Sequence, residues 1–123
     1  MNYTRAERVA DLVWTELADI MLRAVSDPRV RLVNVTGVKM SEDLRRAKIF
    51  FVERGRDECR AEVEAGMQRI SGFLRRELGK RLQLRYLPEL LFVYDTSFAY
   101  GSRIDRLLQE IHGEEDRHDG RNH

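Results

Sequence analysis

Residues 66–88, GMQRISGFLRRELGKRLQLRYLP, hold the periodicity around which the rest of the chain is organised. Ile70, Leu74, Leu78 and Leu82 recur every four residues with Phe73 beside them, which draws an apolar stripe along a helix. The same stretch carries Arg69, Arg75, Arg76, Lys80, Arg81 and Arg85 against one acid, Glu77, a local charge of +5 in a chain whose total is +1. At 100° per residue, Arg69, Arg76 and Lys80 fall within about 40° of one another, away from the stripe. One face is therefore predicted to dock on a core while another presents a row of cations. An ordinary solvated face mixes signs, whereas phosphate is the commonest partner of a single-sign row, each cation neutralising one backbone charge. Ser71-Gly72 interrupts the run. Gly costs about 1 kcal/mol in a helix interior relative to Ala, so the pair predicts a kink or a break between two helices.

Outward from this segment the elements follow in order. Residues 4–25 read as a helix, Thr4 capping it and Glu7 completing a capping box. Val9, Val13, Leu17, Ile20 and Ala24 form its stripe, widened by Leu12 and Met21, with Trp14 at the edge. Ser26-Asp27-Pro28 ends it, because the residue before Pro disfavours the α region. LVNVTGVKMS, residues 32–41, alternates Val33 and Val35, then Val38 and Met40 on the opposite parity. The change across Gly37 predicts a β-bulge. A short connection leads to a second strand, AKIFFVER at 47–54, and so to an antiparallel hairpin.

A helix with an acidic start is expected from about residue 58 to 70, continuing past the break to 82. Pro88 opens a third strand, residues 89–95, apolar at successive positions in LLFVY, which predicts a place inside a sheet or under helices. The crossover before it is long enough for a parallel, right-handed connection. Thr96 or Ser97 can cap a last helix bearing Ile104, Leu107, Leu108 and Ile111. The class is α+β: a three-stranded mixed sheet with helices packed on it, in the order α-β-β-α-kink-α-β-α.

Composition bounds the function. A chain of 123 residues is one domain with a single core. Residues 1–112 are expected to fold, and 113–123, GEEDRHDGRNH, to be a disordered polar tail. No run approaches a membrane span, and the charged N-terminus does not read as a signal peptide, so a cytoplasmic location is expected. Cys59 is alone, which fits a reducing compartment. All three histidines, His112, His118 and His123, fall at or beyond the last helix turn. With no P-loop, no CxxC and no paired metal-ligand spacing, the sequence predicts neither enzyme, metal site nor cofactor.

Asp27-Pro28-Arg29, VTGVKMSEDLRRAKIF at 35–50, SGFLRRELGKRLQLRYLPELLFVYDTS at 71–97 and GSRIDRLL at 101–108 together closely resemble ribosome-binding factor A. The resemblance implies a type II KH-like fold in agreement with the element order. KH domains generally clamp nucleic acid with a GxxG loop. This chain has none; the family replaces it by a kink carrying Ala-x-Gly, here Ile70-Ser71-Gly72. Ile70, on the apolar stripe, is expected to turn into the core. The resemblance further implies binding to the immature 30S subunit and its 16S rRNA, help in late maturation and 5′-end processing, importance in the cold, and release by an assembly GTPase. It implies a monomer without catalysis. Arg69, Arg75, Arg76, Lys80, Arg81 and Arg85 are the expected RNA contacts, with Arg29, Arg31, Arg45 and Arg46 as a secondary set. Tyr86, Tyr94 and Tyr100 are expected to pack rather than stack on bases. The alternative is an adaptor whose basic face docks on an acidic protein.

Overall fold

The computed structural model describes residues 4–97. Helix α1 spans Arg5–Arg23, and the Glu7 N–H donates to the Thr4 hydroxyl at 3.1 Å, half of the expected capping box. Asp27 caps a 3-10 turn, Pro28–Val30, with its carboxylate accepting from the Arg29 N–H. Strands β1 (Val33–Met40) and β2 (Arg46–Glu53) follow, then helix α2 (Ala61–Leu82) and strand β3 (Glu89–Tyr94).

β1 pairs antiparallel with β2, and the register shifts between Val35 and Gly37, where the parity change predicted a bulge. The extra residue is Thr36, whose hydroxyl donates to Asp95 just beyond β3 at 2.7 Å. β2 pairs parallel with β3, so the sheet order is β1-β2-β3 with β2 central. The bulge thus ties the first strand to the end of the third across the strand between them.

The core has two parts along α2. Leu74 and Leu78 pack with Ala10, Val13, Leu17 and Ile20 of α1 on Met40, Ala47, Ile49 and Leu90 of the sheet. Val63 and Met67, one half-helix earlier, pack with Val30, Val33 and Phe51. Ile70 lies against both clusters, which joins them. Phe51 meets Phe92 and Tyr94 edge to face, with centroids 6.4 and 5.3 Å apart. Glu53 is the one charged side chain buried among the described residues; Arg60 and Arg56 pair with its carboxylate. Tyr94 completes that corner, accepting from the Glu53 N–H at 3.0 Å and donating to the Arg56 carbonyl at 2.8 Å.

Five expectations are corrected. The segment read as two helices is one, without a break at Ser71-Gly72. The burial of Leu74 and Leu78 outweighs the helix penalty of about 1 kcal/mol for Gly72, since each fully buried aliphatic is worth about 1.5–3 kcal/mol. Any kink at Ile70-Ser71-Gly72 is therefore a bend within a continuous helix. That helix begins at Ala61, so Cys59 precedes it. Strand β3 is an edge strand in the described sheet, with Leu91 and Val93 left 38% and 37% exposed because α1 and α2 pack on the other face. On α1, Leu12 and Ala24 are exposed, and Ala10 takes the place expected for Val9 at the centre of the stripe. Thr96 and Ser97 already have helical backbone, which puts the capping position at Asp95. The last helix with Ile104 to Ile111, Tyr100, the histidines and the tail at 113–123 lie outside the described residues.

Candidate nucleic-acid interface

The apolar stripe of α2 is turned into the core, and this carries Arg69, Arg76 and Lys80 to the surface as the helical spacing requires. Arg69 and Arg76 form no ion pair among the described residues. Lys80, its side chain 75% exposed, has only a 3.7 Å approach to Glu77 one turn away. The row is an open line of cations on a helix anchored along its other side. At its N-terminal end, Arg29 holds the Asp27 carboxyl below its usual range through its guanidinium and its backbone N–H, and the charge of Arg69 adds to the effect.

Two cations of the expected set have internal work. Arg75 donates through Nε to the Pro88 carbonyl at 2.9 Å and through Nη2 to the Leu87 carbonyl at 3.3 Å, pinning the approach to β3 against the helix. Arg81 reaches across to α1, its Nη1 lying 2.7 Å from Asp19 Oδ2 and 3.6 Å from Glu16 Oε1. Glu77 approaches it at 4.0 Å. Hydrogen bonding from Arg81, then from Arg23, holds the Asp19 carboxyl below its usual range, and Asp19 in turn raises the Arg81 guanidinium. Part of the +5 of this segment is thus neutralised by acids on a helix more than fifty residues away in sequence. The i, i+3 spacing of Glu16 and Asp19 on α1 was the available signal.

Arg85 stands apart from the row. Beyond the end of α2 the chain turns through Gln83, at φ 50°, and Tyr86 comes to lie under two guanidinium groups. Arg45, from the β1–β2 turn, has its Cζ 4.5 Å from the Tyr86 ring centroid, and Arg85 is 5.3 Å away. A residue of the primary set and one of the secondary set are brought together on an aromatic ring that is 46% exposed. Sequence reasoning took Tyr86 for a packing residue; it stays at the surface with both guanidinium groups against its ring. The remaining secondary residues divide. Arg29 is tied to Asp27 by Nε at 3.1 Å and Nη2 at 2.8 Å, and Arg46 lies 3.9 Å from Glu89. Arg31 is exposed with no ion pair among the described residues.

Lys39 and Lys48, both exposed, are direct cross-strand partners on the sheet face opposite the helices. Like charges directly opposite are unfavourable in a sheet. The pair adds a second basic surface that strand-by-strand reading passed over, because register alone brings the two together.

The chemistry offered is recognition of anions by shape and charge. Among the described residues no group of three or more His, Cys, Asp and Glu is placed to hold a metal. Burial, with the charges of Glu64 and Glu53, pushes the Cys59 thiol up, away from the thiolate a nucleophile needs. No helix among the described residues is long and apolar enough to cross a membrane.

Comparison with known proteins agrees with this frame. The family model for ribosome-binding factor A matches residues 5–108. Ribosome-binding factor A of Syntrophus aciditrophicus is 61% identical over 115 residues, covering 94% of each chain. The crystal structure of ribosome-binding factor A from Thermus thermophilus superposes with a TM-score of 0.64 at 22% identity, over 72% of this chain and 93% of that one. A Thermus thermophilus homology model fitted into the cryo-EM map of a 30S–RbfA complex gives 0.52 at 22% identity, over 67% and 90%. With the fold shared and the sequence match running from the first helix past the third strand, the chain belongs to the ribosome-binding factor A family.

Proposed function

We propose that this protein is a non-catalytic assembly factor that binds the immature 30S subunit through its 16S rRNA. In that role it assists late maturation, including processing of the rRNA 5′ end, and then dissociates with the help of an assembly GTPase. The observation that carries the reading is the open row Arg69, Arg76 and Lys80 on α2, presented by a helix whose opposite side is locked into both core clusters. A rigid line of cations follows a phosphate backbone without reading bases, and positions the protein by charge and shape. The KH-like arrangement, with a helix in place of a GxxG loop, suits that mode. The Thermus thermophilus relative fitted into a 30S complex supports the small subunit as the target. Arg75 and Arg81, occupied inside the fold, act by holding α2 in place, and Arg69, Arg76, Lys80 and Arg85 make the phosphate contacts. The protein acts as a monomer in the cytoplasm.

Co-sedimentation tests the reading. Wild-type protein is expected to pellet with immature small subunits in preference to mature ribosomes, and the Arg76→Ala, Lys80→Ala double variant to remain largely in the supernatant. Equal pelleting of wild type and double variant would remove α2 from the interface. Capture of the wild type by an acidic protein, with no affinity for subunits, would establish the adaptor role instead.

A further inference from the structure

A cavity of about 520 Å³ opens between the start of α1, the β1–β2 turn and the loop that follows α2. Its walls include Leu44, Leu82, Leu84 and Tyr86, with Arg5 and Arg85 at the rim. Neither Arg5 nor Arg85 forms an ion pair among the described residues. Glu42 and Asp43 also line the cavity. Both loops that border it are held in uncommon backbone: Leu44 at φ 62° and Gln83 at φ 50° are the two non-glycine residues with positive φ among those described. Left-handed non-glycine residues persist only where the surroundings over-determine them, and they gather at ligand clamps.

The turn is well fixed. The Ser41 N–H donates to the Arg46 carbonyl at 2.9 Å and the Leu44 N–H to the Ser41 carbonyl at 3.0 Å. Asp43 is clamped as well, accepting from the Ser41 hydroxyl at 2.6 Å and the Arg45 N–H at 3.1 Å. The cavity is therefore a preformed feature with an aromatic and aliphatic lining, two acids and a basic rim.

We propose that this cavity is a site for one unpaired nucleotide of single-stranded RNA, separate from the phosphate-tracking row on α2. It rests on the rRNA-binding reading above and extends it from duplex backbone to an extruded base. A nucleobase has apolar faces and an edge of donors and acceptors. Tyr86 and the leucines meet the faces, and the Glu42 and Asp43 carboxylates accept from exocyclic amines. The flanking phosphate falls to Arg85 and Arg45, which leave the Tyr86 ring for it. An acidic peptide would pair with the cations, but its side-chain carboxylates are repelled by Glu42 and Asp43 in the lining, and it offers no flat face to the Tyr86 ring. A nucleotide uses every side of the cavity.

Fluorescence anisotropy with the full chain provides the test, using a labelled heteropolymeric single-stranded RNA and a blunt RNA duplex of the same length. Tyr86→Ala is expected to weaken single-strand binding by at least about five-fold, the lower end of base–aromatic stacking, and to leave duplex binding unchanged. Tyr86→Phe, which keeps the ring, is expected to behave as wild type. The Arg76→Ala, Lys80→Ala pair is expected to weaken both probes. If a folded Tyr86→Ala protein binds the single strand as tightly as wild type while the helix pair still weakens both, the cavity site is refuted and the rRNA reading stands. If wild type binds neither RNA but binds a labelled polyglutamate peptide, and Tyr86→Ala weakens that binding, both fall. Should Tyr86→Ala fail to fold, cross-linking of 4-thiouridine RNA to the wild type decides. An adduct on Tyr86 supports the site, and adducts confined to α2 overturn it.

Discussion

Replacing Arg76 and Lys80 together by Ala separates the cations that face outward from those that hold the fold. Both side chains lie on the outward side of α2, Ala is the best helix former, and the variant should keep wild-type circular dichroism. Four cations of the segment, Arg69, Arg76, Lys80 and Arg85, form no hydrogen bond to an acid among the described residues, while Arg75 and Arg81 are engaged internally. At about 0.9 per duplex phosphate, four contacts give a slope of log affinity against log salt of about −3.6, and the double variant about −1.8. Between roughly 50 and 200 mM salt the wild type should lose about 150-fold in affinity and the variant only about 12-fold. The assay is subunit binding across a salt series. Arg76→Glu with Lys80→Glu should bind more weakly than the Ala pair, because repulsion is added. Arg75→Ala and Arg81→Ala should lower the melting temperature and leave the slope near wild type. A folded double variant with the wild-type slope would refute the assignment of these cations to phosphate. A slope equally shallow in Arg81→Ala would show that the contacts to α1 open on binding.

Two helical glycines should respond in opposite senses in thermal unfolding. Gly72→Ala should stabilise by up to about 1 kcal/mol, since the added methyl meets only the movable Arg76 guanidinium at 3.3 Å. Gly66→Ala should destabilise, because its methyl would lie 2.9 Å from Cγ1 of buried Val30 and 3.3 Å from Cβ of Arg29. A stabilised Gly66→Ala or a destabilised Gly72→Ala would contradict the packing. Asp19, whose carboxyl is held below its ordinary value of 3.8, contributes stability that is fully present above that pH. The contribution is lost as pH falls from 3.8 through the lower folded value. The melting temperature of Asp19→Asn should therefore fall less steeply than wild type below about pH 4, and parallel curves would exclude the Arg81 contact as a stabilising one. Tyr94→Phe leaves the Glu53 N–H and the Arg56 carbonyl without the hydroxyl between them, and should cost about 1–3 kcal/mol in denaturant unfolding; no change would mean that water replaces it freely.

Local pattern was enough for much of this protein. The period of four in Ile70, Leu74, Leu78 and Leu82 determined which side of α2 is buried, and the same arithmetic put Arg69, Arg76 and Lys80 outside. Thr4 and Glu7 marked the start of α1, and the parity change at Gly37 the bulge, whereas α1 ends at Arg23, ahead of Asp27-Pro28, which opens the 3-10 turn. These features depend on residues within a turn or a strand of one another, so short windows contain their causes. Tertiary structure alone decided the rest, because those outcomes depend on what lies on the other side of an element. Gly72 stays helical because buried neighbours on either side outweigh its penalty. β3, apolar on both faces, is an edge strand because strand order and helix placement are properties of the whole sheet. Arg81 leaves the basic surface because Glu16 and Asp19 approach it from α1. Arg45 and Arg85 meet on Tyr86 because two loops with left-handed residues converge on one cavity. Coulombic and packing energies follow distance in space, and the stretch of sequence between Arg45 and Tyr86 carries no record of a separation of 4.5 Å.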